Sequence, residues 1–160
     1  MVVAVAVAAA PDIILRPAFA LNANEQPMET WADTSRGSIK WQSLFSACTT
    51  PTDSLTCGVA HVAPGDTFAL HSHPQAEIYF GLSGHGTVMV DGTPYTLSPG
   101  IALFIPGDAV HGILRAEQAM SWFYVFAADR FDEIAYSFQT EHTVALQRPP
   151  SALEQLDEQE

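Results

Sequence analysis

The segment "HSHPQAEIYF" places four side chains capable of metal or proton chemistry at alternate positions. These side chains are His71, His73, Glu77 and Tyr79, and all four have odd residue numbers. In an extended strand, residues two apart point to the same side. The spacing therefore predicts that the two imidazoles, the carboxylate and the phenol share one face, while the apolar residues between them pack on the other.

Ionisable groups on the inward face of a β-structure cost free energy unless they find partners. A divalent metal ion solves this problem, because neutral imidazoles and a carboxylate ligate it and its charge compensates the carboxylate. Two histidines and one carboxylate suit an open-sided Fe, Mn, Ni or Zn site. A fourth ligand is expected from another strand, and His111 in "IPGDAVHGI" follows a Pro-Gly turn in a suitable position. The alternative is that His71 and His73 are ordinary polar residues near a loop.

The elements that must position these residues are short strands. From residue 38 onward, apolar runs of four to eight residues alternate with turn residues, as in "SIKWQSLF", "LTCGVAHV", "AEIYFGL", "IALFI" and "AMSWFYVFA". Such regular spacing is typical of an all-β sandwich or barrel. Asp91-Gly92 predicts a tight hairpin turn. No helical periodicity appears before residue 129, and "DRFDEIAYSF" fits either a short helix or a last strand.

The chain divides into three stretches. Residues 1–37 form a leader, whose first apolar part we interpret as an extra strand laid on the main sheet or exchanged with a partner subunit. Residues 38–127 contain the regularly spaced strands. Residues 128–160 form a C-terminal segment that ends as a short acidic helix or a frayed tail.

Composition restricts the partners. The chain has 160 residues with Lys+Arg 6 against Asp+Glu 18, a formal net charge of -12. Such a surface repels phosphate backbones and anionic membranes, so we expect neither nucleic-acid nor membrane binding. A neutral, cationic or zwitterionic small-molecule substrate fits better. The 2 cysteines form no C-x-x-C pair, which favours thiols in a reducing, cytoplasmic compartment.

The histidine segment resembles the first motif of the cupin superfamily. That motif is glycine, five residues, H-x-H, three or four residues, glutamate, six residues and glycine, and it is matched by Gly65, His71, His73, Glu77 and Gly84. The second motif is matched by Gly100, Pro106 and His111. Over residues 38–127 the resemblance implies a single-domain cupin jelly-roll barrel. It also implies one divalent metal held by His71, His73, Glu77 and His111.

Two positions depart from the second motif. Asp108 stands where the family has a glycine, with Gly107 one position early, and Arg115 replaces the usual asparagine. Neither change removes a ligand, although Asp108 alters the turn that leads to His111.

The stretch "HSHPQAEIY" also resembles cupin-type dimethylsulfoniopropionate lyases. That resemblance implies a metal held by His73, Glu77, Tyr79 and His111, with Tyr79 as the base. The phenol would take the proton alpha to a carboxylate, and dimethyl sulfide and acrylate would be released. The second tyrosine expected just upstream is absent, and Phe68 lies in that region. The same motif occurs in other cupins, so an Fe(II) dioxygenase and a non-catalytic metal- or ligand-binding cupin remain alternatives.

Three further residues are candidates for binding a substrate. Arg115 has the same parity as His111 and is a candidate carboxylate clamp, the alternative being an arginine that faces solvent. Trp41 and Tyr124 are candidates for lining an apolar pocket, the alternative being core packing. Tyr79 could likewise only fill the barrel. The apolar leader and the need to cover sheet edges favour a homodimer.

Overall fold

The predicted strands form two antiparallel sheets in the computed structural model, which describes residues 17–139. The larger sheet has the strand order β1-β2-β3-β10-β5-β8 and the smaller sheet has the order β11-β4-β9-β6-β7. The larger sheet consists of β1 (Glu29–Thr30), β2 (Lys40–Phe45), β3 (Thr56–Val62), β5 (Glu77–Gly84), β8 (Ala102–Ile105) and β10 (Met120–Phe126). The smaller sheet consists of β4 (Phe68–Ser72), β6 (Gly86–Val90), β7 (Thr93–Leu97), β9 (His111–Ile113) and β11 (Ser137–Phe138). The all-β jelly-roll prediction is confirmed.

The core lies between the sheets and is dominated by aromatic side chains. β10 occupies a central place in the larger sheet, where it pairs with β3 on one side and β5 on the other. Its residues alternate between buried and half-buried, and Trp122, Tyr124 and Phe126 face the interior. This alternation is what a strand with one face on a core requires.

The hairpin predicted at Asp91-Gly92 joins β6 to β7. Both turn residues have positive φ, 47° for Asp91 and 75° for Gly92, as a primed two-residue turn demands. For residues 129–138 the sequence predicted either a short helix or a last strand, and the structure has a short element of each kind. A 3-10 turn at Phe131–Glu133 precedes the short strand β11.

Two strands extend the sheets beyond residues 38–127. β1 comes from the leader and pairs with β2, and β11 comes from the C-terminal segment and pairs with β4. The predicted extra strand at the start of the chain falls on residues 1–16 and the predicted helix or tail on residues 140–160, and both lie outside the described residues. Within residues 17–139, no helix has the length and apolar character needed to span a membrane.

Candidate metal centre and the cavity beside it

Three strands bring the predicted ligands together. β4 and β9 pair with His71 directly opposite His111. β5 alternates between buried and exposed residues from its first position, so Glu77 and Tyr79 both point inward as the parity predicts. His73 lies just past the end of β4, and its carbonyl accepts a hydrogen bond of 2.8 Å from the Asp108 N–H.

The ligand atoms converge in the interior of the barrel. His71, His73 and His111 are buried, and one nitrogen of each lies within 4.8 Å of the others. The Glu77 carboxylate joins them, with Oε2 3.5 Å from His73 Nε2 and 3.2 Å from His111 Nε2. All four side chains are no more than 2% exposed. Such burial of ionisable groups requires a compensating partner.

Backbone carbonyls fix the orientation of each imidazole. The Nδ1–H groups of His71, His73 and His111 donate to the carbonyl oxygens of Ala69, Gln75 and Ala109 at 2.8, 2.9 and 2.9 Å. A neutral imidazole that donates through Nδ1 offers a lone pair at Nε2, and metal-bound histidines usually donate their other ring N–H to a carbonyl or carboxylate in this way.

The Nε2 atoms then lack suitable partners among residues 17–139. His71 Nε2 and His73 Nε2 are buried without a hydrogen bond. His111 Nε2 faces a carboxylate oxygen of Glu77, which would place two lone pairs against each other. A divalent cation satisfies all four groups at once, and the residues therefore fit a metal ion. The sequence hypothesis that His71 and His73 are only polar residues near a loop predicts neither their burial nor this convergence.

The electrostatics favour a neutral imidazole at His71. Burial lowers the pKa of His71 well below 6.5, and the nearby positive charge of a protonated His111 would lower it further. His71 is thus held in the form that can donate a lone pair.

The turn before His111 has a left-handed residue, Asp108, where the family motif has a glycine. Asp108 adopts a φ of 64°, the left-handed region that the family's glycine would occupy without strain. Gly107 is required for a different reason, because a Cβ at this position would lie 2.2 Å from the Pro74 carbonyl oxygen. The loop that carries His73 and the turn that carries His111 are therefore packed backbone to backbone.

Two phenols lie beside the ligands. Burial raises the pKa of Tyr79 well above 10, and the Glu77 charge raises it further. The Tyr79 ring lies 6.2 Å from the His111 ring. Tyr136, which precedes β11, lies 5.2 Å from the His71 ring and 5.4 Å from the His73 ring. Its pKa is also raised, first by burial and then by Glu77.

An aromatic cavity of about 20 Å³ adjoins Glu77 and Tyr79. Trp41 and Tyr124, the predicted substrate-binding aromatics, both line it, together with Trp31, Trp122, Phe126, Phe131 and Tyr136. The volume holds about one water molecule.

Trp31 is one of the residues that line this cavity. Its ring packs 4.8 Å from Trp41 and 5.2 Å from Tyr136, measured between ring centroids. The Arg36 guanidinium lies 5.2 Å from the Trp31 ring and 5.1 Å from the Phe138 ring, so one cation bridges a cavity-lining ring and a ring of β11. Cation–π contacts of this kind hold the rings together.

The structure does not bring Arg115 to the ligands. It is exposed and lies on a separate surface cavity of about 270 Å³, together with His85 and Gln118, which are hydrogen-bonded to each other. β9 ends at Ile113, so the alternation that gave Arg115 the parity of His111 does not extend to it.

Sequence reasoning did not identify Tyr136 or Trp31 as site residues. No tyrosine lies just upstream of the histidines. Phe68 is in that region, and its ring centroid lies 4.2 Å from that of His71. A second phenol reaches the site from the other end of the chain instead. The only signal for it was the aromatic spacing in "AYSF", which is equally typical of core packing.

The comparisons with known proteins agree with this geometry. Residues 58–126 match the family model described as "Cupin domain". The dimethylsulfoniopropionate lyase DddW of Ruegeria pomeroyi is 33% identical over 128 residues, which cover 80% of this chain and 84% of that protein. A 5-aminosalicylate 1,2-dioxygenase of Comamonas sp is 34% identical over 74 residues, which cover 46% of this chain and 19% of that protein.

A solved structure shows the same fold over most of the chain. The cupin-2 domain protein of Rhodospirillum rubrum superposes with a TM-score of 0.67, covering 90% of this chain and 96% of that one at 22% identity. Together, the relatives and the buried histidine group indicate an enzyme that can hold a metal ion.

Proposed function

The chain belongs to the cupin family, and on that basis we propose that it is a metal-dependent lyase that cleaves dimethylsulfoniopropionate into dimethyl sulfide and acrylate. The observation that carries the proposal is the buried Tyr79 phenol, two residues beyond Glu77 on the same strand face and on the wall of the cavity. The identity to a lyase of this kind over four fifths of the chain supports it.

We assign the metal to His71, His73, Glu77 and His111, with iron, manganese, nickel and zinc as candidates. When bound, such a cation supplies Lewis acidity for a substrate carboxylate. The protein's own contribution is to fix three imidazoles by backbone hydrogen bonds and to exclude bulk water from the site.

Tyr79 is the proposed general base. Its phenolate removes the proton alpha to the carboxylate, and the electron pair of the broken C–H bond forms the carbon–carbon double bond of acrylate. The C–S bond breaks with its electron pair remaining on sulfur, so the cationic sulfonium leaves as neutral dimethyl sulfide. Burial and Glu77 both raise the pKa of Tyr79, so the phenolate requires a compensating positive charge nearby.

The aromatic walls suit the cationic end of this substrate. Trp41, Tyr124 and Phe131 all line the cavity, and the Phe131 ring lies 6.0 Å from the Trp41 ring and 6.4 Å from the Tyr124 ring. Ring faces attract cations. The net charge of -12 also favours the approach of a molecule with an exposed sulfonium group. Trp41 and Tyr124 are accordingly proposed as substrate-binding residues.

The test is release of dimethyl sulfide from dimethylsulfoniopropionate, measured by gas chromatography. The chain is stripped with a chelator and reloaded separately with iron, manganese, nickel or zinc. We expect release with at least one metal and none from the stripped chain. Absence of release with every metal, in protein shown to have bound it, would overturn the lyase proposal.

A dioxygenase is the second candidate, because one relative is a 5-aminosalicylate 1,2-dioxygenase. The same histidines could hold iron for oxygen chemistry. The two functions separate under strict anaerobiosis. A lyase retains its full rate without oxygen, whereas an oxygenase that consumes oxygen stops.

A further inference from the structure

The surface cavity that Arg115 lines lies outside the barrel and has a volume of about 270 Å³. Thr87 and Met89 of β6 also line it, whereas Val88 and Val90, the alternate residues of the same strand, are buried in the core. The cavity therefore lies on the outer face of the smaller sheet. It has room for a ligand of several non-hydrogen atoms, unlike the interior cavity of about 20 Å³.

Polar groups are frequent in the lining of this cavity. Thr87 on β6 and Thr96 on β7 are direct cross-strand partners, and both line it. His85 and Gln118 line it too and are hydrogen-bonded to each other. Hydroxyl, amide and imidazole groups can each donate or accept hydrogen bonds, so this lining is suited to a polar ligand.

Arg115 and Glu117 bring one positive and one negative charge to the same lining. Neither forms an ion pair with any residue in the range 17–139. The other two arginines in this range, Arg36 and Arg130, each pair with an aspartate. An arginine without a carboxylate partner is unexpected in a chain with Lys+Arg 6 against Asp+Glu 18. The cavity thus offers a ligand one unpaired charge of each sign.

The backbone between these two charged residues is held in place. Ala116 is buried, its N–H donates to the Asp66 carbonyl oxygen at 2.7 Å, and its own carbonyl oxygen accepts from the Gly65 N–H at 2.7 Å. Arg115 and Glu117 on either side of it are exposed. A ligand that binds both charges therefore does not have to order this loop first, which lowers the cost of binding.

We propose that this cavity binds a small zwitterion that carries a carboxylate and an ammonium group. The Arg115 guanidinium pairs with the ligand carboxylate, and the Glu117 carboxylate pairs with the ligand ammonium group. Thr87, Thr96 and Gln118 supply further hydrogen bonds. A simple anion is a poorer ligand, because Glu117 and the net charge of -12 both repel it. A simple cation is a poorer ligand because it leaves Arg115 unpaired.

The experiment is a titration of the full-length chain with small probes, followed through its backbone amide NMR resonances. The zwitterions are glycine, β-alanine and γ-aminobutyrate, which differ in the separation of their two charges. Propanoate is the anion control and ethylammonium is the cation control. We expect one zwitterion to bind more tightly than either control. It should shift resonances of residues 85–89 and 114–118, and not those of Glu77 and Tyr79.

Variants test the contribution of each charge. Arg115→Gln and Glu117→Gln should each weaken binding of the preferred zwitterion by about tenfold or more, as loss of a charge-assisted hydrogen bond predicts. The matched controls are Arg130→Gln and Glu133→Gln, which remove exposed charges at the 3-10 turn before β11. Both should bind the zwitterion as the wild type does, because neither residue lines the cavity.

Three results would exclude such a site. The first is that none of the zwitterions shifts the resonances of residues 85–89 and 114–118. The second is that propanoate or ethylammonium binds as tightly as the best zwitterion, which would leave a site for a single charge. The third is an Arg115→Gln or Glu117→Gln chain, shown to be folded by circular dichroism, that binds the zwitterion with the affinity of the wild type.

Discussion

His71 and His111 are direct cross-strand partners on β4 and β9, and their ring centroids lie 4.2 Å apart. Backbone pairing, and not a flexible loop, therefore sets the distance between two of the proposed ligands. The same pairing forces two buried imidazoles together in the absence of a metal. Burial, and the proximity of the other imidazoles, hold the pKa of His71 well below 6.5.

The metal-free protein should lose stability on acidification. Burial lowers the pKa of His71 well below 6.5, so below that pH the unfolded chain binds a proton that the folded chain does not. Keeping His71 neutral therefore stabilises the folded protein fully at a pH above the pKa of His71 in the unfolded chain. This stabilisation is lost as the pH falls toward the lower pKa of His71 in the folded chain. For one proton, the free energy of unfolding falls by at most about 1.4 kcal/mol per pH unit.

Urea unfolding of chelator-treated protein between about pH 7.5 and about pH 5.5 measures this slope. His71→Gln should flatten it, whereas His85→Gln, at an exposed histidine, should leave it unchanged. Equal slopes in the wild type and His71→Gln would show that His71 is not held neutral by the fold.

Tyr79→Phe should retain bound metal and lose turnover. The variant keeps the ring that packs 5.3 Å from Trp122 but removes the proposed base. Loss of a positioned general base costs about 10²–10⁴-fold in kcat. The assay is dimethyl sulfide release, with metal content measured on the same sample. Tyr95→Phe is the control, because its phenol is exposed. If Tyr136→Phe abolishes turnover while Tyr79→Phe does not, the base is Tyr136.

Arg36→Gln should loosen the packing of Trp31 on the wall of the cavity. It removes the cation that lies over both Trp31 and Phe138, a contact worth about 0.5–1 kcal/mol. Because Trp31 lines the same cavity as Glu77, we expect several-fold faster transfer of the metal to an external chelator, with little change in Tm. Arg130→Gln, which breaks only an exposed ion pair with Asp132, is the control. Identical transfer rates in the wild type and both variants would place the route to the metal elsewhere.

The turn before His111 gives a pair of opposite predictions. Asp108→Gly removes the strain of a left-handed φ at a non-glycine residue. It should leave the free energy of unfolding unchanged or raise it by up to about 1 kcal/mol. Gly107→Ala places a Cβ against the Pro74 carbonyl oxygen and should destabilise by about 1–3 kcal/mol. It should also weaken metal binding, since the displaced loop carries His73. Thermal unfolding and metal titration test both variants. A Gly107→Ala chain that unfolds and binds metal as the wild type does would show that the two loops are not packed this closely.

The strands and the inward face of β5 could be predicted from sequence because both depend on local alternation. Parity is reliable within a continuous strand, which is why Glu77 and Tyr79 point as expected. It fails beyond a strand end. Arg115 lies past Ile113, the last residue of β9, and faces solvent.

Contacts between distant segments were not predictable. Tyr136 reaches the histidines because β11 pairs with β4, with Phe138 opposite His71, and nothing in the local pattern records that pairing. Trp31 lies in a segment whose composition indicates a loop, yet it packs on Trp41 because β1 pairs with β2. Both placements depend on which strands pair in the folded sheets. No periodic pattern in the local sequence indicates that pairing.

The decisive measurement for the proposed metal centre is metal content by mass spectrometry, on protein reloaded and then freed of excess metal. We expect one divalent ion per chain in the wild type, in Tyr79→Phe and in His85→Ala. We expect loss of that ion in His73→Ala and His111→Ala, since each removes an Nε2 lone pair from the buried cluster. Folded wild-type protein that binds no ion, or His73→Ala and His111→Ala variants that bind it as tightly as the wild type, would show that these histidines do not hold a metal.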